Sequence, residues 1–457
     1  MVLIFYVFAL LCAFLVLGNL AVRLLGRKKA QLAVNIIAMG LIGIVLGYTG
    51  VAYGNFTEFH LVSINPYGLF FSVLFTASML LVNILAFEYS HNYGDFSVLA
   101  SFVLLGMFTV SLSNSLISIF IGLELASIPT VFVILLSKKS LEASAKFFIM
   151  SSIAIAMLSL AIVLVYGGSN SLSITQHGKN GIMMFASVLF IIALGFETSI
   201  FPFNMLVPDV YQGSDAYVTG MLGGVNKKLG FAALIQVLIL VFVGYGSAFL
   251  VVAALSVLTM FYGNIVALKQ TNLKRMLAYS SISQAGYILI GIATRSQLGI
   301  TGSLFQIFAH AFIFIGLLGI VAWLEKNNRS NIDDLIGLNG ENKFAAFAMT
   351  LLMLSLVGLP LTTGFVGKFL LFLSAVNSGL LVLAILGIIN SVISVYYYAR
   401  PILAAYTGKQ NERKLEMELG LQVVLIACIF ATLFFGVYPN ALINIISHAS
   451  AYLFGII

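Results

Sequence analysis

Five isolated groups of ionisable side chains stand inside apolar stretches of this sequence. Glu124 is the only charged residue between Asp95 and Lys138, and Glu197 the only one between Lys179 and Asp209. Lys227 and Lys228 are the sole charges from Ala216 to Leu268. His310 is the sole ionisable group between Arg295 and Glu325, and Lys368 the sole charge between Lys343 and Arg400. A charge at mid-bilayer depth costs about 2.5–3.5 kcal/mol on insertion scales, so several at similar depth point to a purpose. Spread over separate helices, such Glu, Lys and His groups can form a horizontal row that exchanges protons through intervening water. Glu142 and Lys146, at i and i+4, stand at the start of a further apolar run.

Each group also has a purely structural alternative. Glu124 and Lys227 could be an ion pair tying two helices together, and Glu142 with Lys146 a surface pair whose lysine snorkels. His310 could be an interface histidine bonded to a carbonyl, and Lys368 a cap on carbonyls freed by a broken helix. Lys228 is expected to snorkel or line a cavity and is left out of the row. Ser280, Ser281 and Ser283 fit the common role of helix-interface hydroxyls.

The elements that must position these groups are membrane helices. Of 457 residues, 61% are hydrophobic and only 8% charged, too little polar material to cover a core in water. A crossing needs roughly 20 apolar residues, and the runs give spans at 2–25, 31–53, 67–88, 96–112, 114–137, 142–167, 182–203, 216–240, 247–268, 276–294, 299–324, 344–376, 379–405 and 418–440. Only Ser113-Asn114-Ser115 separates the fourth from the fifth. Residues 441–457 remain apolar and are expected against the membrane surface. The N-terminal run lacks a basic flank and reads as a first helix rather than a cleaved signal.

Lys and Arg in the loops concentrate on the cytoplasmic side. Loops after odd-numbered spans hold Arg27, Lys28, Lys29, Lys138, Lys139, Lys269, Lys274, Arg275, Lys326, Arg329, Lys343, Lys409, Arg413 and Lys414, whereas those after even-numbered spans hold Lys179 and Arg295. The alternation puts both termini outside. Pro202 and Pro208 interrupt the seventh span, and Gly358, Pro360 and Gly364 the twelfth. Breaks five spans apart imply two five-helix repeats of opposite orientation, spans 4–8 and 9–13, with discontinuous helices 7 and 12 as in ion pathways. The expected division is therefore 1–94 for helices 1–3, 95–240 and 247–406 for the repeats, and 407–457 for the fourteenth helix and tail.

Other classes find little support. The net charge of +7 is scattered without an aromatic-interleaved basic face, so nucleic acid is not an expected partner. Cys12 and Cys428 lie at opposite ends in apolar runs, which speaks against disulfide, zinc and iron–sulfur chemistry. No Gly-rich phosphate turn follows a strand, so no cofactor or metal is expected in this chain.

Seven stretches in order carry a resemblance to a known family. They are Ile121 to Pro129, Glu142 to Phe148, Pro208-Asp209-Val210-Tyr211-Gln212-Gly213, Asn226-Lys227, Asn272 to Gln284, Gly358 to Phe369, and Asn390 to Arg400. Between residues 95 and 406 the chain resembles the antiporter-like membrane subunits of respiratory complex I and their archaeal relatives, with Asn390 to Arg400 pointing to the N type. The resemblance implies that Glu124, Lys227 and Lys368 match the family's proton-path glutamate and lysines of helices five, eight and twelve, and Lys146 its sixth-helix lysine. Two departures stand out. Gly195-Phe196-Glu197 replaces the family's Gly-Phe-Lys, and Pro202-Phe203-Asn204-Met205-Leu206 its Pro-x-His-x-Trp, so two carboxylates stand where a Glu–Lys pair is usual. Glu197 is then expected close to Lys227 or Lys146.

The resulting expectation is a proton-translocating subunit without redox chemistry of its own, in the cell membrane of a bacterium or archaeon. Its partners would be other membrane subunits, lipid and protons, with quinone bound elsewhere. A subunit of a multisubunit cation/proton antiporter is the first alternative, a structural membrane subunit the second.

Overall fold

The computed structural model describes residues 2–52, 57–59, 62–137, 140–175, 181–408 and 414–455. Lys138, Lys139, Lys179, Lys409 and Arg413, part of the loop-charge pattern, lie outside the described residues. Helices α1 (Val2–Leu24) and α2 (Lys28–Ala52) precede a short antiparallel pair, β1 (Thr57–Phe59) with β2 (Val62–Ile64). Then follow α3 (Pro66–Tyr89), α4 (Tyr93–Ser111), α5 (Leu116–Leu135), α6 (Leu141–Ser169), α7 (Gly181–Thr198), α8 (Val207–Gly213) and α9 (Ala216–Met221). A π-turn, Leu222–Asn226, leads into α10 (Lys227–Leu240), followed by α11 (Gly246–Ala267), α12 (Leu273–Ala293) and α13 (Gln297–Lys326). The chain ends with α14 (Leu338–Glu341), α15 (Lys343–Val357), α16 (Thr363–Asn377), α17 (Leu381–Tyr406), α18 (Leu419–Val437) and α19 (Asn440–Leu453).

Thirteen helices among the described residues are long and apolar enough to cross a membrane. Local chemistry sets where several begin. Asn65 accepts from the Gly68 amide ahead of α3, with Pro66 in the first turn where its missing N–H costs nothing. Ser115 and Ser118 form a capping box that starts α5 and separates it cleanly from α4. Asn272, Ser296 and Asn342 cap α12, α13 and α15 in the same manner.

The expected span 344–376 is divided. α15 and α16 have 15 residues each, about 22 Å at 1.5 Å per residue, too short to cross alone. Gly358 ends α15 at φ +101, a conformation that Cβ-bearing residues avoid. Gly364 then lets α16 start against the end of α15, because a Cβ there would lie 1.8 Å from the Ser355 carbonyl oxygen. The other interruption follows α7, where Ser199 takes φ +60 and the chain turns through residues 199–206 before α8.

The chain forms two compact units: residues 1–198, 225–248 and 445–457, and residues 199–224 with 249–444. In the first, an amide and hydroxyl cluster joins α1 to α4. Asn19 donates to Asn35 Oδ1 at 2.8 Å and to Ser101 Oγ at 2.9 Å; Asn35 donates to Asn83, Tyr93 and Ser97. α10 lies in the same unit and is buried all round, with Tyr67 donating to the Ala232 carbonyl at 2.7 Å and Gln236 donating to that of Ser113 at 2.7 Å. In the second unit α12 is enclosed all round and α13 nearly so. Lys274 holds the turn before α9 by donating to the Ser214 carbonyl at 2.5 Å, while pairing with Glu325 at 2.6 Å. Arg275 pairs with Asp209 of α8 at 2.8 Å.

Candidate functional site

In the first unit the candidate groups gather on α5, α7 and α10. Glu124, Ser127 and Thr130 follow i, i+3, i+6 spacing along one face of α5. Ser127 donates to the Glu197 carboxylate at 3.3 Å, and Glu124 lies within electrostatic range of the same carboxylate. Both acids are half-buried. Gly230 brings the end of α7 against α10, since a Cβ there would lie 2.7 Å from Glu197 Cβ. Three residues earlier the π-turn delivers Lys227, 3% exposed, and Lys228, 1% exposed, to the enclosed helix. Such turns recur at functional sites because they rotate the side chains that follow. Asn226 donates to Thr130 Oγ1 at 2.7 Å, and its amide oxygen is buried with no hydrogen-bond partner among the described residues.

In the second unit Lys368, 3% exposed, is surrounded by neutral acceptors. Its ammonium donates to the carbonyls of Leu356 and Val357, both at 2.8 Å, and to Ser391 Oγ at 3.0 Å. The two carbonyls are free because the helix stops at Gly358, so the break creates the lysine's seat. The Tyr287 ring lies under the same ammonium, 4.7 Å from its centroid. Tyr287 accepts from Asn390 at 3.0 Å; Asn264 donates to the Asn390 carbonyl at 2.8 Å and accepts from Tyr397 at 2.8 Å. Gln284 donates to the Leu356 carbonyl at 3.3 Å and to Tyr398, which shares a short hydrogen bond with Ser280. Gln306 donates to Gln284 Oε1 at 2.8 Å. One turn further along α13, His310 is 1% exposed and stacks on Phe314 at 5.1 Å.

Several expectations change on these observations. Glu124 makes no hydrogen bond or ion pair among the described residues, so it does not tie α5 to α10 by pairing with Lys227. Glu197 accepts from Ser127 and lies within electrostatic range of Glu124, and Lys146 pairs with Glu142 at 2.6 Å. Glu142 is 79% exposed, which is the surface-pair geometry. Lys228 does not snorkel: both neighbouring lysines are buried because α10 has no outer face. Lys368 does cap freed carbonyls. Among the described residues no group of three His, Cys, Asp or Glu could hold a metal ion.

Sequence reasoning singled out none of Gln284, Tyr287, Gln306, Asn390, Ser391, Tyr397 and Tyr398 as site residues, although all but Tyr287 and Gln306 lie in stretches that carry the resemblance. A signal exists for two of them: Gln284 is the sole carboxamide between Leu273 and Ser296, and Gln306 the sole one between Leu298 and Leu324.

Interrupted helices and ionisable groups enclosed at the centre of apolar crossings define a multi-pass membrane protein of the kind that conducts ions. The family model described as the transmembrane region of NADH:quinone oxidoreductase and Mrp antiporters matches residues 113–394, and the chain belongs to that family. NADH-quinone oxidoreductase subunit N of Moorella thermoacetica is 33% identical over 456 residues, covering 95% of each chain. F(420)H(2) dehydrogenase subunit N of Methanosarcina mazei is 32% identical over 426 residues, 88% of this chain and 86% of that one. A chain of respiratory complex I from Thermus thermophilus has a TM-score of 0.82 at 26% identity, covering 95% of this chain and 98% of that one.

Proposed function

We propose that this chain is a proton-translocating membrane subunit of a complex I-type oxidoreductase. It works beside other membrane subunits, which hold the redox groups and the quinone. The observation that carries the reading is Lys368: a lysine buried at a helix break and held by two carbonyls and a hydroxyl. A lysine seated on neutral acceptors can release its proton without stranding a buried carboxylate, which a lysine in a buried salt bridge cannot do. Glu124, Lys227, His310 and Lys368 are the row we assign to proton transfer, with Glu197 replacing the family's usual seventh-helix lysine. Lys146 stands at the edge of that row. The repeats at 95–240 and 247–406 would each contribute one broken helix and one half of the path. The membrane would be the cell membrane of a bacterium or archaeon, with both termini outside.

The relatives support this reading and leave the electron donor open, since one is named for NADH and another for F(420)H(2). The test is proton transport per electron in proteoliposomes of the assembled complex. Glu124→Ala, Lys227→Ala and Lys368→Ala should each assemble and lower transport at least about tenfold, the scale set by about 1.4 kcal/mol on a rate-limiting step. Normal transport in all three variants would make the subunit structural.

A cation/proton antiporter subunit is the second reading. It is favoured by the two neighbouring carboxylates Glu124 and Glu197 with the Ser127 hydroxyl, an oxygen-rich set that suits a hard cation. Transport that depends on sodium and is lost in Glu197→Gln would select it.

A further inference from the structure

We propose that Gln306 and Gln284 are positioning residues that bridge His310 to Lys368 and set the rate of proton passage between them; this rests on the proton-path reading above. The links are all within one unit. His310 stands four residues after Gln306, about 6 Å along the same face of α13. The Gln306 amide donates to Gln284 Oε1 at 2.8 Å, and the Gln284 amide donates to the Leu356 carbonyl, which also accepts from Lys368. Four groups on four helices are thus joined by consecutive hydrogen bonds. Gln306 is 1% exposed, and its amide N–H donates to Gln284 while its oxygen Oε1 is buried without a hydrogen-bond partner among the described residues. Buried polar atoms are rarely left open, and an open acceptor one turn before a histidine and against the glycine that precedes a lysine is a docking point for the O–H of a carrier water.

The packing keeps that oxygen in place. Gly367, adjacent to Lys368, faces Gln306 so closely that a Cβ would lie 2.2 Å from Oε1. The missing side chain therefore leaves room for the amide at the point where α16 crosses α13. Carboxamides do not titrate at physiological pH, so Gln306 does not carry the proton. It fixes a water whose O–H chain does: one proton leaves the His310 imidazolium, one is taken up by the Lys368 amine, and no bond of either amide changes. Gln284 keeps the Gln306 amide turned so that Oε1 stays open.

The experiment compares proton transport per electron in proteoliposomes of the assembled complex for Gln306→Leu, Gln306→Glu, Gly367→Ala and Lys368→Ala. Gln306→Leu keeps the bulk and removes the polar atoms, and should slow transport about tenfold, the value of roughly one lost hydrogen bond in the rate-limiting step. Gln306→Glu, which in its protonated form offers the same donor and acceptor, should restore transport to within about threefold of the wild type, a rescue that a packing role would not produce. Gly367→Ala displaces the flexible amide tip and should slow transport as Gln306→Leu does, so it decides the matter if Gln306→Leu fails to assemble. Transport by Gln306→Leu or Gly367→Ala at the wild-type rate, with Lys368→Ala impaired, overturns the bridge and leaves the proton-path reading intact. Gln306→Glu no faster than Gln306→Leu also overturns it. Wild-type transport in Lys368→Ala overturns the reading on which the bridge rests.

Discussion

In the first unit, Glu124 and Glu197 keep half-buried carboxylates near each other with one hydroxyl, Ser127, donating between the helices. In the second, Lys368 is almost wholly enclosed and its three ammonium protons have three neutral acceptors. The contrast separates two ways of keeping an ionisable group in an apolar interior. A pair of like groups leaves space for a proton or cation that comes and goes. A lysine on freed carbonyls has a second task, because the same contacts that hold its charge also close the broken helix. Variants should therefore separate transport from stability in the first unit and mix the two in the second.

The strongest way to break the comparison is through the glycines that allow the close approaches. A Cβ at Gly364 would lie 1.8 Å from the Ser355 carbonyl oxygen, whereas one at Gly230 would lie 2.7 Å from Glu197 Cβ, 2.9 Å from Thr198 Cγ2 and 3.0 Å from the Glu197 backbone carbon. Both glycines face atoms tied to backbone, but the overlap at Gly364 is much the deeper. Gly364→Ala should cost more than the roughly 1–3 kcal/mol of ordinary overpacking and impair assembly, while Gly230→Ala should fall inside that range. Thermal unfolding of the detergent-purified complexes ranks them, and an equal loss for both would mean that α16 can slide.

Next in size is the double duty of Lys368. Lys368→Met strands the carbonyls of Leu356 and Val357, at about 1–3 kcal/mol for each buried group left unmade. Lys368→Arg keeps donors for those carbonyls and holds its proton permanently, so stability should return while transport does not. If arginine restores transport as well, the lysine acts through the cap alone. By contrast, Glu197→Gln in the first unit should lower transport severalfold with unfolding temperature little changed, because Ser127 can still bond the amide oxygen. Glu197→Lys sets an opposite charge beside Glu124 and should retain part of the activity.

How far the sequence revealed this arrangement depends on what each residue answers to. The crossings were legible because length and apolarity are local, and both breaks because Pro202, Gly358 and Pro360 disrupt a helix wherever they fall. Lone charges such as Lys227, His310 and Lys368 were legible against an apolar background. The Glu197 partner was not, since Ser127 is one serine among many and only the packing of α5 on α7 selects it. The burial of Lys228 was hidden for a related reason: adjacent residues point about 100° apart on a helix, so both turn inward only if the helix is enclosed all round. The Gln306–Gln284 contact joins positions 22 apart on two helices, and neither amide carries a charge that betrays it. The β1–β2 pair, three residues per strand, is too short for any periodic pattern.

The smallest effect should come from Glu142, and it decides whether Lys146 belongs with the buried groups. The two side chains lie one turn apart on α6 at 2.6 Å, with Glu142 79% and Lys146 31% exposed. An exposed i,i+4 pair of this kind contributes about 0.2–1 kcal/mol or less, and salt screens it further. Glu142→Gln should leave assembly and unfolding temperature nearly unchanged and transport within about twofold of the wild type, since surface substitutions usually act within about 0.5 kcal/mol. Lys146→Ala is the sharper measurement. If Lys146 is only the basic half of a surface pair, its removal should do no more than Glu142→Gln does, at low or high ionic strength. A transport loss approaching that of Lys227→Ala, persisting in high salt while Glu142→Gln stays silent, would show that the lysine reaches inward when its carboxylate lets go. It would then join the path proposed for the first unit, beside Glu124, Glu197 and Lys227.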